Sequence, residues 1–198
     1  MTLRTATRAC AAAVFAAVLL ASCSRGDGRE MREPGPDQVQ TIEVATTPPT
    51  TVPFFTASGP WPEDGEIDAA YTCAGAGTSP AVTATNVPPD VVSLGLVLVD
   101  STSGNVAHWA VANLAPAEVL VPGGAVPDGA FVAINDFGTA GYEPPCAEAG
   151  TRHEYLLMVY SFDQVLELPE DATSDDLTAA FEAAALDVAM SAFTVTAP

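Results

Sequence analysis

Between Val91 and Val99 the chain reads Val-Val-Ser-Leu-Gly-Leu-Val-Leu-Val, with no charged side chain, fenced by Pro88-Pro89 before it and Asp100-Ser101 after it. A short, branched, uncharged run between turn residues is the pattern of a buried strand, because its side chains fit a pleated surface and its length is wrong for a helix. After the polar turn Ser101 to Asn105, a second strand is predicted over Ala107 to Leu114, and the loop length makes the two a hairpin. A third strand is predicted over Tyr155 to Phe162 and a short final one over Ser191 to Thr196. Between Pro53 and Val91 the chain reads as short strands and turns, punctuated by Gly and Pro. Only one helix is expected. Thr173-Ser174-Asp175-Asp176 supplies capping oxygens and acids for its start, and Leu177, Phe181, Ala184 and Val188 recur on one helical face. The expected class is mainly β (α+β), with that late helix packed on the sheets.

The first residues carry Arg4 and Arg8 and no acid, followed by a small-apolar run from Ala9 to Ala21. A cationic start, an apolar stretch too short to span a bilayer comfortably and then small residues make up a signal peptide, expected over residues 1–22. The run ends in Leu20-Ala21-Ser22-Cys23, which resembles the bacterial lipobox, so Cys23 is the expected lipidation site and membrane anchor. An ordinary signal peptide with a chance cysteine is the alternative. Residues 23–52 lack apolar periodicity and are rich in Pro, Thr, Gly and charge, the composition of a tether on the order of 30 Å in reach. Residues 53–198 are the size of one domain. The expected location is the extracytoplasmic face of the cell membrane.

Cutting before Cys23 leaves four arginines against 25 acids, a net charge of −21, and the chain has no lysine. From Glu33 onward Arg152 is the only basic side chain apart from the two histidines. Such a surface repels phosphate backbones, so nucleic acid is not an expected partner. Cys73 and Cys146 are the cysteines left in the domain. In an exported protein two such thiols usually pair, with free thiols or a metal site as the alternatives.

Both histidines fall at predicted strand starts. His108 opens the second strand, where the turn returns it close to Asp100, and His153 immediately precedes the third, on one face with Tyr155. If the third strand lies beside the second, Asp100, His108, His153 and Tyr155 meet at one sheet end. An Asp beside a His fixes the imidazole tautomer and raises its pKa, giving a donor-rich niche. The plainer alternative is that Asp100 and His108 only close a hairpin. The Gly-rich run Asn135 to Tyr142 and Glu143-Pro144-Pro145-Cys146 form a rigid rim beside them. Trp61 and Trp109 are expected to be packing residues, with Trp109 a candidate wall of the niche.

These residues resemble a known family. Tyr71-Thr72-Cys73, Thr78-Ser79-Pro80, Asp100, His108-Trp109, Asn135-Asp136-Phe137-Gly138, Gly141-Tyr142, Pro145-Cys146 and His153-Glu154-Tyr155 run in the order of motifs in the phosphatidylethanolamine-binding proteins. Their bacterial branch is called YbhB/YbcL, or Raf-kinase-inhibitor-like. The resemblance implies two β-sheets, a late C-terminal helix and a small anion-accepting pocket. It places Asp100, His108, His153, Tyr155 and the rim prolines Pro144 and Pro145 at that pocket, with Cys73 and Cys146 near its mouth.

The chain departs from the family pattern. Ser101-Thr102-Ser103 follows Asp100 where the family has an Asp and two prolines, Glu154 replaces an arginine, and Pro144, beside the extra acid Glu143, replaces a rim glycine. Lost guanidinium and gained carboxylates weaken a phosphate site. No Gly-x-Ser-x-Gly elbow or His-Glu-x-x-His pair is present, so neither a catalytic residue nor a metal or other cofactor is expected. The expected function is binding of a small anionic or polar ligand. The alternative is an inhibitor or interaction protein acting on an extracytoplasmic protein partner, with the pocket as a relic.

Overall fold

The computed structural model describes residues 54–197; the expected signal peptide, the tether and Cys23 lie outside them. In chain order the elements are β1 (Thr56–Ser58), β2 (Gly65–Glu66), a 3-10 turn (Ala69–Tyr71), β3 (Val82–Thr85), β4 (Ser93–Asp100), β5 (Val106–Leu114), β6 (Val119–Val121), β7 (Phe131–Val132), β8 (Arg152–Phe162), α1 (Ser174–Ala184) and β9 (Asp187–Thr196). A small sheet has the order β1-β3-β6 and a large one β2-β9-β8-β4-β5-β7, antiparallel except where β2 meets β9.

The apolar run becomes β4 because it is sandwiched. Leu94, Leu96 and Leu98 face the small sheet, joining Val82, Ala84, Leu120 and Val121 in one core. Val97 and Val99 face the opposite way, into a second core with Leu177 and Phe181 of α1. A strand covered on both faces has no solvent side, so polar alternation disappears from its sequence. Gly95 lets the helix approach: a Cβ there would stand 2.3 Å from the tip of the Phe181 ring.

Three expectations are corrected. The third strand does not take the place beside the second on which the meeting of the four residues was conditional; β8 pairs through Tyr155 to Phe162 with β4, and the residues meet across the first strand instead. The helix stops at Ala184 and does not reach Val188; Ala185 turns extended and Val188 enters β9 opposite Tyr160. Strand pairing of ten residues along β8 outweighs one more helical turn. His153 sits inside β8 rather than before it, and His108 is the third residue of β5 rather than its first. The helix start forms as predicted, with Thr173 Oγ1 accepting from Asp176 N and Asp176 Oδ2 accepting from Thr173 N.

Candidate binding cavity

Asp100 ends β4 on the face of Leu94, Leu96 and Leu98, and its cross-strand partner on β8 is Tyr155. His153, two residues before Tyr155, shares that face. His153 Nδ1 donates to Asp100 Oδ2 at 2.7 Å. Asp100 also accepts from Thr102 N, Ser103 N and Ser103 Oγ, at 2.9, 3.0 and 3.0 Å. Burial pushes its pKa up, but the bonds from His153 and Ser103 outweigh this and hold the carboxyl below the usual carboxylate range.

His108 reaches the same place by a different device. Leu98 pairs with Trp109 while the next residue of β4, Val99, pairs with Ala107, so His108 is the extra residue of a β-bulge. The bulge flips the alternation: Ala107 falls in the helix-side core with Ala110, whereas Trp109 and Val111 lie in the core between the sheets. His108 Nδ1 lies 2.9 Å from the Glu143 carbonyl, and a carbonyl only accepts, so Nδ1 carries the hydrogen. Burial pushes the His108 pKa down, against the opposing pull of the Glu143 carbonyl and of the Asp100, Glu143 and Asp136 carboxylates. The ring is therefore neutral at neutral pH, with a bare lone pair on Nε2. Among the described residues neither His108 nor His153 has a partner for Nε2.

The two rings open onto a cavity of about 330 Å³, walled also by Ser103, Phe137, Glu143, Pro144, Cys146 and Glu148. Tyr155 lies beneath its floor, fully buried, its ring 5.3 Å from His108 and stacked at 5.2 Å on Phe193. The Tyr155 hydroxyl has no hydrogen-bond partner among the described residues. Burial, with the Asp100 charge nearby, raises its pKa far above the ordinary phenol value.

One wall is the extended segment 143–148, gripped at both ends. His108 holds Glu143 twice, accepting from Glu143 N at 2.9 Å through its backbone carbonyl and donating through Nδ1. At the other end Cys73 N donates to the Pro145 carbonyl at 3.1 Å, and Cys73 is joined to Cys146 by a disulfide. Ala147 faces away, into a second hollow of about 370 Å³ beside Cys73 and Val195.

The family model described as phosphatidylethanolamine-binding protein matches residues 57–196. The chain belongs to that family. A protein of Methanothermobacter thermautotrophicus named UPF0098 is 37% identical over 125 residues, covering 60% of this chain and 82% of that one. A Mycobacterium tuberculosis protein that bears a lipoprotein name, LppC, is 32% identical over 161 residues, covering 79% of each. Among solved structures, the phosphatidylethanolamine-binding protein homologue CT736 of Chlamydia trachomatis superposes with a TM-score of 0.65 at 28% identity, over 73% of this chain and 98% of that one. Escherichia coli YbcL, described as a member of the mammalian family, superposes at 0.66 over 73% and 99%, at 21% identity, a likeness in fold.

Within this family fold, several sequence expectations change. Asp100 pairs with His153 and not with His108, because the bulge turns His108 toward the Glu143 carbonyl. Burial lowers the His108 pKa instead of raising it, so this ring offers an acceptor and not a donor. Pro144 lines the cavity but Pro145 is buried behind it, and Cys146 lines it instead. Glu154 alternates to the opposite face of β8, so its charge is not at the cavity wall. Trp109 packs in the core, edge-on to Tyr142, and does not wall the cavity. Ser103 and Glu148 were not foreseen. The Asp100-Ser101-Thr102-Ser103 turn carries a signal for Ser103, since an Asp often bonds the backbone two and three residues on. No local signal marks Glu148.

Proposed function

We propose that this protein is an exported, membrane-anchored binding protein whose cavity takes a small polar ligand without transforming it. One observation carries the reading. Two imidazoles from different strands each have Nδ1 fixed by the protein and Nε2 left without a partner at the same cavity. Fixed rings with unspent polar atoms are what a recognition site requires. The absence of chemistry rests on the hydroxyls nearby. Ser103 Oγ is committed to Asp100, and the raised pKa of Tyr155 makes its oxygen a poor nucleophile. The anchor rests on the lipobox-like residues ending at Cys23, and the lipoprotein name of the similar LppC supports it.

Native mass spectrometry of the protein purified from its own host tests the binding role. A bound small molecule is expected, and it should be lost in His153→Ala while the circular dichroism spectrum is unchanged. Retention of the same molecule by His153→Ala would place it elsewhere. For the anchor, Cys23→Ala should move the protein from the detergent to the aqueous phase; unchanged partitioning argues against lipidation.

The alternative, an inhibitor or interaction protein, has one observation in its favour. On the outer face of β9, Val188 and Met190 are 40% and 59% exposed, beside Leu156 and Met158 of β8. Capture of an extracytoplasmic protein that is lost in Met190→Asp but kept in His153→Ala would favour this second reading.

A further inference from the structure

We propose that the open edge of β9, from Asp187 to Met190, takes an added β-strand from an extended polypeptide segment that carries lysine or arginine. The proposal rests on the outer face of β9 being a contact surface, names the segment that it accepts, and is independent of the cavity.

The backbone leads there. In β9 the even-numbered residues turn their N–H and carbonyl groups away from β8, since the carbonyls of Ala192 and Thr194 accept from Asp64 N and Ile67 N, both at 3.1 Å. That flank is closed from Ser191 on. Trp61 Nε1 donates to Ser191 Oγ at 3.0 Å, and the Glu66 carboxylate accepts from Thr196 N at 2.6 Å. Between Asp187 and Met190 it is open. Val188 N donates to the neighbouring Asp187 Oδ1 at 2.8 Å. The Val188 carbonyl and both backbone groups of Met190 have no hydrogen-bond partner among the described residues. Proteins usually blunt such an edge with lysine, proline or a bulge, and Asp187-Val188-Ala189-Met190 has none of these.

The side chains decide what kind of strand fits. Val188 and Met190 are exposed on the outer face, opposite Tyr160 and Met158 of β8, with Leu156 next in line. An added strand therefore finds apolar neighbours for every second side chain. Around this band the charge is of one sign. Asp187 and Asp64 stand at its two ends, Glu154 shares the face of Leu156, and the Glu182 charge of α1 acts on the Tyr160 hydroxyl. Arg152, the one arginine among the described residues, lies opposite Thr196 at the far end of β8. A second copy would set these acids against their own kind, whereas a basic segment is attracted. Main-chain bonds supply the attachment, and alternate side chains supply the selectivity.

The test uses the full-length protein in detergent and fluorescently labelled peptides: one alternating lysine and valine, one alternating glutamate and valine, and the lysine peptide with a central proline. Fluorescence anisotropy reads affinity, and hydrogen exchange followed by NMR reads the Met190 amide. The lysine peptide should bind saturably and slow Met190 exchange about tenfold or more, and the other two should bind more weakly by about tenfold or more. Met190→Lys, on an exposed side chain, and Met190→Pro, which removes the free N–H, should each weaken the lysine peptide about tenfold with the circular dichroism spectrum unchanged. His153→Ala should bind it like the parent. Equal binding of the proline-bearing peptide, or binding that leaves the Met190 amide exchanging as before, overturns the proposal, because a charged surface alone would do the same. So does a Met190 amide already protected without peptide: protection that grows with protein concentration assigns the edge to a second copy, and protection at every dilution assigns it to residues before Phe54. If no peptide binds but an extracytoplasmic protein is captured and is lost in Met190→Asp, strand addition falls and the contact surface stands; if nothing is captured either, both fall.

Discussion

Replacing Cys73 and Cys146 with serine removes a cross-link between residues 73 apart in sequence. Both cysteines are exposed, so the exchange takes little from the core. What it takes is the restriction of the unfolded chain: closing a loop of that size is worth about 4 kcal/mol in the chain-entropy model. Spread over the melting entropy of a domain this size, the loss lowers the melting temperature by about 10–15 °C. Local geometry should survive better than stability, because the Cys73 N bond to Pro145 and both His108 bonds to Glu143 remain. Differential scanning calorimetry of the parent, of the parent with reductant and of the double serine variant measures the effect. The last two should coincide. A drop of less than about 3 °C would refute the reasoning, since it means that the unfolded chain was never freed by opening this loop.

Three further outcomes are expected. Gly95→Ala should cost about 1–3 kcal/mol in urea denaturation, as its methyl meets the Phe181 ring, and pairing it with Phe181→Leu should recover part of the loss; strict additivity of the two changes would show that they do not touch. Stability should fall as pH drops through 6.5, because the folded His108 resists the proton that the unfolded one accepts. His108→Gln should flatten the melting temperature between pH 7.5 and 5.5, and an unchanged slope would assign that proton to another group. At lower pH the contribution of Asp100 is fully present above its ordinary value of 3.8 and is lost as pH falls through its depressed folded value. Asn135→Ala should cost about 2–3 kcal/mol, measured by urea denaturation, since the buried amide accepts from Phe137 N and Thr139 N and donates to the Gly141 carbonyl; a loss below about 1 kcal/mol would mean that water replaces those bonds.

The central strands were legible because burial on both faces leaves a composition that a helix or loop does not share. β2 and β7, of two residues each, carry no periodicity at all, and only tertiary pairing creates them. The convergence of Asp100, His108, His153 and Tyr155 could be read from strand ends and family motifs. Their partners could not. A bulge shifts one residue without leaving a compositional mark, so nothing in Val106-Ala107-His108-Trp109 announces that Asp100 will take His153 instead of its nearer neighbour. Likewise Leu177, Phe181, Ala184 and Val188 satisfy a helical period, but the last of them is claimed by a strand whose other partner lies in β8.

The floor and the wall of the cavity are built from different material. Asp100, His108 and His153, with Tyr155 expected at the cavity but buried beneath them, hang from three adjacent strands of the large sheet, where a shift of any one disturbs its neighbours on both sides. The opposite wall is six residues of extended chain held by a few contacts. Chemistry at the bottom is thus expensive to alter, whereas admission at the top can be retuned by rewriting Glu143 to Glu148 while the sheet stays as it is.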